Sequence, residues 1–147
     1  MKFKLILPLL LLFSVTVFGQ GKKEKREQIK ALKVSYITTQ LNLSSEQAAK
    51  FWPVYNEFEE KQFQIRHNKM RPLVKKISEI GTDKMTDKEA LTYLNQLEEA
   101  DEELFSLRKR LVIDLKPVIG PVKVLKLKKA EEDFNKELLS KYKGKKK

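Results

Sequence analysis

The chain has 147 residues, of which 35% are charged, and 31 basic against 20 acidic side chains give it a net charge of +11. It contains no cysteine, which excludes disulfides, thiol redox chemistry and thiolate metal sites. A strongly basic balance indicates an anionic partner: nucleic acid in the cytosol or, for an exported protein, anionic lipid, lipopolysaccharide, or acidic and unfolded polypeptide.

Residues 1–19 have the pattern of a secretory signal peptide. Lys2 and Lys4 precede the apolar run LILPLLLLFSVTVF, which is shorter than the roughly 20 residues of a membrane span. We predict cleavage between Gly19 and Gln20 and a periplasmic mature chain, 20–147, with a net charge of +9 from 29 basic and 20 acidic side chains. An uncleaved anchor is the alternative, whereas a lipid anchor is not expected because no cysteine follows the run.

The rest of the sequence predicts helices only, because no stretch alternates apolar and polar residues between turn signals. The first helix is predicted from about Lys23 to Gln40. Its apolar residues recur every three or four positions: Ile29, Leu32, Tyr36 and Ile37. Its lysine-rich first turns are expected to fray.

The second helix is predicted to begin at the stretch LSSEQ, where Ser44 and Gln47 have the spacing of a capping box. Leu43 precedes the cap and can pack back on the first turn. We expect Pro53 to kink the helix and Gly81 to end it. The predicted cap and kink residues are Leu43, Ser44, Gln47, Phe51, Trp52, Pro53 and Tyr55.

Two further helices follow. Thr86 and Glu89 form a second capping-box pattern, which opens a helix whose seam runs from Ala90 to Leu115 and includes Leu94. Asp101 and Arg108 lie in this seam and interrupt its apolar residues. The stretch KPVIGP breaks it, and a fourth helix is predicted over 121–142, before a basic tail.

The predicted architecture is one all-α domain over 20–147. It is an elongated four-helix, hairpin-like domain with long kinked helices, because a helix over 45–80 would span about 54 Å, against about 36 Å for a compact globule of this length. We expect an antiparallel homodimer, since thin helices with broad apolar stripes leave surface uncovered.

Charge is segregated along the chain. Residues 61–76 carry six basic and no acidic side chains, and residues 98–103 carry five acidic and no basic ones. The simplest explanation is that these helix faces pair with each other. The functional alternative is a basic and apolar face that holds non-native polypeptide or a regulatory partner. Its candidate residues are Arg66, Lys69, Met70, Arg71, Lys75, Lys76, Arg108 and Arg110.

No catalytic, cofactor-binding or metal-binding residue is predicted. His67, the single histidine, lies among cations in the stretch RHNK and is expected to be exposed rather than a metal ligand. The sequence has no glycine-rich phosphate loop and no nucleophile elbow. We therefore expect a protein without enzymatic activity.

The stretch LSSEQ resembles the LTxxQ signature of the Spy and CpxP group of periplasmic proteins. With the leader, the four-helix pattern and FWPVYNEFEEK after the motif, residues 22–142 resemble Bacteroidetes-type proteins labelled sensors of extracytoplasmic-function sigma factors. The resemblance implies an elongated helical fold, often a cradle-shaped antiparallel homodimer. It also implies binding of unfolded envelope proteins without ATP, or modulation of an envelope stress sensor.

Two departures from this family pattern keep the alternatives open. IGPVK at 119–123 stands where family members repeat the motif, and the histidines of metal-sensing relatives are missing. The prediction is a periplasmic envelope-stress protein, either a chaperone or a regulator. A structural envelope protein that binds anionic lipid or lipopolysaccharide is the alternative, and nucleic-acid binding would require that residues 1–19 are not a signal.

Overall fold

A computed structural model describes residues 17–144, with side chains from Gly21 onward. All regular structure in this part of the chain is helical, which confirms the all-α prediction. The elements are α1 (Val17–Leu41), α2 (Ser45–Gln64), a π-helical turn (Ile65–Met70), α3 (Arg71–Ile80), a 3₁₀ turn (Thr82–Lys84) and α4 (Asp87–Gly144).

Residues 1–16 of the predicted leader and residues 145–147 of the basic tail lie outside the described residues. Between residues 17 and 144, no helix is both long and apolar enough to cross a membrane.

One predicted helix boundary differs from the observed one, and one predicted break is present. α1 is helical from Val17, so the lysine-rich turns expected to fray are helical. The last two predicted helices are joined in α4 across a kink, where Gly120 has non-helical backbone angles (φ 81°, ψ 159°). That glycine lies in the stretch expected to break the helix, and Pro121 follows it.

The π-helical turn lies immediately before Pro72. Proline has no N–H, and in a regular α-helix its ring collides with the carbonyl four residues earlier. Here the N–H of Arg71 donates to the carbonyl of Arg66, five residues back, so the backbone is wider at this point. The helix continues to Ile80, whereas at Pro53 α2 continues without such a turn.

The described residues fall into two compact units. The terminal unit contains the residues up to Asn42 and those from Lys126 onward, and the central unit is Leu43–Leu125. In the terminal unit the rings of Tyr36 and Phe134 lie 5.7 Å apart. Its buried residues are Ile37, Leu41, Leu127, Ala130 and Phe134.

In the central unit, α2 and α3 pack antiparallel to the part of α4 before Gly120. Ile65, Ala100 and Leu104 form a buried cluster at the middle of this hairpin. The α4 seam was predicted one position off in places: Leu94, Asp101 and Arg108 are exposed. A straight helix repeats every 3.6 residues, so its buried stripe drifts away from a strict heptad. The buried residues of this part of α4 are Ala100, Leu104, Leu111, Leu115 and Ile119.

Candidate binding surfaces

The LSSEQ motif forms a reciprocal capping box. Ser44 Oγ accepts from the N–H of Gln47 at 3.1 Å, and Gln47 Oε1 accepts from the N–H of Ser44 at 3.2 Å. Gln47 Oε1 also accepts a hydrogen bond from Lys123 Nζ at 2.8 Å. The start of α2 is therefore bonded to the IGPVK stretch, 76 positions away in sequence. No spacing pattern predicts this contact, and Lys123 was not a candidate.

The aromatic residues after the motif are core residues. Phe51 and Tyr55 are buried, and their rings stack at 5.3 Å. Trp52 is half-buried and lies edge-on to both, with centroids 4.8 and 5.8 Å away. Pro53 is exposed. These rings therefore pack on one another on the interior side of α2.

A groove of about 710 Å³ lies between α2, with its π-helical turn, and α4. Gln64, Asn68 and Lys69 line one wall, Glu99, Glu102 and Glu103 line the other, and Ile65 and Leu107 lie between them. Lys69 forms an ion pair with Glu103 across it. The basic and acidic segments thus meet at this point, as the simplest explanation of their charges requires. Both side chains are partly exposed, so the pair adds little stability.

The eight candidate residues divide into three groups. Lys69, Lys76 and Arg110 line the walls of this and adjoining grooves, and Arg110 pairs with Asp114 at 3.2 Å. Met70 packs against the Ile65 cluster and is half-buried. The four that do not line the grooves are Arg66, Arg71, Lys75 and Arg108.

Of these four, Arg66 and Arg71 form no ion pair among the described residues. Lys75 lies 3.9 Å from Glu79, and Arg108 Nε donates to the carbonyl of Leu104 at 3.3 Å. Two arginines with no carboxylate partner are available to an external ligand.

The surface of the hairpin outside these grooves carries these cations together with exposed apolar side chains. Leu94, Phe105 and Arg108 share one side of α4, at spacings of eleven and three. Leu94 is 54% exposed and Phe105 64%. On α3, Val74 is 55% exposed and follows Arg71 by three residues. We call this surface the open flank; its residues are Arg66, Arg71, Val74, Leu94, Phe105 and Arg108.

His67 is half-buried rather than exposed. Its ring stacks on Phe63 at 3.8 Å, and Nδ1 lies 3.2 Å from the carbonyl oxygen of Phe63. Across the part of the chain with described side chains, no group of three or more His, Asp or Glu residues could hold a metal ion.

Exposed ion pairs shift three pKa values. Lys61 Nζ donates to Glu57 Oε1 at 2.6 Å, and this hydrogen bond with the lysine's charge lowers the pKa of Glu57. In the terminal unit, hydrogen bonds to Asp133 and Glu132 raise the pKa values of Lys129 and Lys136. All three are solvated groups on helix surfaces.

Comparisons of the chain with protein-family models, with curated proteins and with solved structures found no match. The resemblance to the Spy and CpxP group therefore stays a prediction.

Proposed function

We propose that the protein is an exported, non-enzymatic envelope-stress protein that holds non-native polypeptide on the open flank without ATP. The observation that carries the proposal is the composition of this surface: three large apolar side chains, each more than half exposed, lie outside the grooves, as do three exposed arginines. A folded protein gains nothing from exposing such a surface unless another chain covers it.

The open flank suits a client without fixed structure. Arginine attracts acidic segments over the Debye length of about 8 Å and can stack on aromatic rings. Phe105, Leu94 and Val74 then add apolar contact area that requires no particular sequence. Because these residues do not line the grooves, they impose no single shape on the client.

A membrane-bound stress regulator is the second candidate partner. It would use the same surface, because a regulatory segment of a receptor can also be acidic and apolar. The two partners differ in number: a chaperone captures many envelope proteins, whereas a sensor captures one.

An antiparallel homodimer of elongated four-helix chains is part of the proposal. Several large apolar side chains of the central unit are left exposed by its own helices, and a second copy could bury some of them. Sedimentation at micromolar concentration is expected to give twice the monomer mass. A monomer at every concentration would remove the dimer from the proposal.

Charge reversal tests the open flank. R66E/R71E/R108E should weaken binding of a reduced, unfolded envelope protein by about tenfold or more, measured by fluorescence anisotropy and by suppression of aggregation. The matched control, K61E/K76E/R110E, makes the same change in net charge on residues that line the grooves. It should bind the client nearly as well as the unmodified protein. An equal loss in both variants would show that net charge, not this surface, holds the client.

Photocrosslinking in cells separates chaperone from sensor. A photoreactive residue at Phe105 should capture a broad set of envelope proteins, and the same residue at Asn68, in the groove, should capture few. One membrane protein as the sole product would favour the regulator. Equal capture at both positions would contradict the assignment to the open flank.

A further inference from the structure

We propose that the terminal unit has a second binding surface, separate from the open flank, that docks on anionic phospholipid headgroups. The surface is the end of the unit where the beginning of α1 meets the end of α4. We call it the cationic end; its residues are Lys22, Lys23, Lys25, Leu139, Lys141, Tyr142 and Lys143.

The fold brings these residues together from opposite ends of the sequence. α1 and the end of α4 run antiparallel, with Tyr36 against Phe134. At the other end of the same contact, Lys25 Nζ lies 4.7 Å from the centroid of the Tyr142 ring, a cation–π contact. Lysines 116 or more positions apart in the chain thereby share one surface.

The side of α1 that packs against α4 changes from apolar to basic toward the N-terminus. Ile29 and Tyr36 lie on this side and are partly buried. Toward the N-terminus, the positions at helical spacing on the same side are Lys25 and Lys22. On α4, the buried Phe134 is followed at seven residues by Lys141. The apolar contact between the two helices thus gives way to lysine on both sides.

These lysines carry like charges and repel each other. Among residues 21–144, no ion pair involves Lys22, Lys23, Lys141 or Lys143. Gathering like charges lowers stability unless counter-charges gather as well. A surface of phosphate groups would supply them.

Apolar side chains beside the lysines favour a phospholipid surface over a soluble polyanion. Leu139 is 62% exposed and Tyr142 41% exposed. They lie three residues apart, with Lys143 one position further, so they share one side of α4. Lysines contact headgroups, a tyrosine fits the interface, and a leucine enters the acyl boundary. A soluble polyanion has no apolar region that the leucine could enter.

Vesicle binding tests the proposal on the protein as cells produce it, with its N-terminus determined by mass spectrometry. The measured quantity is the ratio of two partition coefficients. The first is for vesicles of phosphatidylcholine with on the order of 30% phosphatidylglycerol, an anionic content that gives a membrane a negative surface potential. The second is for vesicles of phosphatidylcholine alone. Taking this ratio cancels any charge-independent insertion by the apolar N-terminal stretch. We expect a ratio well above one that falls steeply with added salt.

Three variants locate the surface. K22E/K23E/K143E keeps the Lys25–Tyr142 contact and should lower anionic-vesicle binding by about a hundredfold, from about 1 kcal/mol for each basic side chain at the surface. The groove variant K61E/K76E/R110E, with the same change in net charge, should keep most of the binding. L139S should weaken vesicle binding by about fivefold but leave binding to soluble polyphosphate unchanged.

Three outcomes would overturn the proposal. A ratio of one would mean that lipid charge plays no part. Equal losses in the terminal and groove variants would mean that net charge alone acts, and vesicle binding indifferent to L139S but competed by polyphosphate would indicate a soluble polyanion. Client capture is measured on the same variants: K22E/K23E/K143E should retain it, and R66E/R71E/R108E should lose it, so either proposal can fail while the other stands.

Discussion

The two ends of the central unit are closed by similar capping boxes but packed very differently. At the packed end, Phe51 and Tyr55 are buried, and Gln47 is bonded to Lys123. At the open end, Thr86 and Glu89 cap each other at 3.2 and 3.4 Å, with no further hydrogen bond from either side chain within the described residues.

The helices at the open end are also less covered. α3 has no buried residue, and Leu91 and Leu94 of α4 are more than half exposed. A capping box determines where a helix begins, but it does not determine what that helix packs against. Stability is therefore expected to concentrate at the packed end, whereas local opening should cost less at the open end.

Removing one aromatic ring from the packed end and one from the open flank should give the largest contrast. Phe51→Ala leaves a cavity among stacked rings and should lower the free energy of unfolding by about 3–5 kcal/mol. Phe105→Ala removes a mostly exposed ring and should change it by less than about 0.5 kcal/mol. Urea unfolding followed by circular dichroism measures both. Similar losses would mean that Phe105 is covered in solution, as in a dimer.

A side chain at Gly120 tests the break in α4. Its φ of 81° and ψ of 159° lie in a region that only glycine occupies readily, so Gly120→Ala should cost about 1–3 kcal/mol. Nothing lies within 4 Å of the added Cβ, so the cost is backbone strain and not a clash. Gly144→Ala, with equally open space but no positive φ, is the control for thermal unfolding. A stabilised Gly120→Ala protein would indicate that α4 prefers to be straight.

The next largest difference in the free energy of unfolding is expected between the two capping boxes. Gln47→Ala loses the cap and the Lys123 contact, at a cost of about 1–2 kcal/mol, whereas Glu89→Ala loses a cap alone, at about 0.5 kcal/mol. A double-mutant cycle of Gln47→Ala with Lys123→Met should give a coupling of about 0.5–1.5 kcal/mol. Pairing Glu89→Ala with Lys123→Met should give none, and equal coupling in both cycles would contradict the contact.

The smallest effect is electrostatic. Because Lys61 lowers the pKa of Glu57, the pair favours the folded state above the ordinary pKa of a glutamate, and this contribution is lost as pH falls through the lowered value. Lys61→Met should raise the pKa of Glu57 toward its ordinary value in an NMR titration. Lys76→Met, on α3, should leave it unchanged; a shift in that variant would show a long-range charge effect instead.

Local rules account for much of what the sequence predicted. The capping boxes at Ser44 and Thr86 and the helix end at Gly81 depend on groups within four residues of each other, so their spacing can be read directly. The π-helical turn before Pro72 was not predicted, because a proline can be accommodated by a kink, a wider turn or a helix end.

The sequence by itself determined that the chain is helical, where α2 and α3 together begin and end, and that basic and acidic residues lie in separate segments. Only the tertiary structure decided which side of each helix is covered: Lys69 meets Glu103, Gln47 meets Lys123, and Lys25 meets Tyr142. These contacts join residues 34 to 117 positions apart. Periodicity specifies the faces of a single helix, but the rotation and register of two packed helices depend on how their side chains fit together.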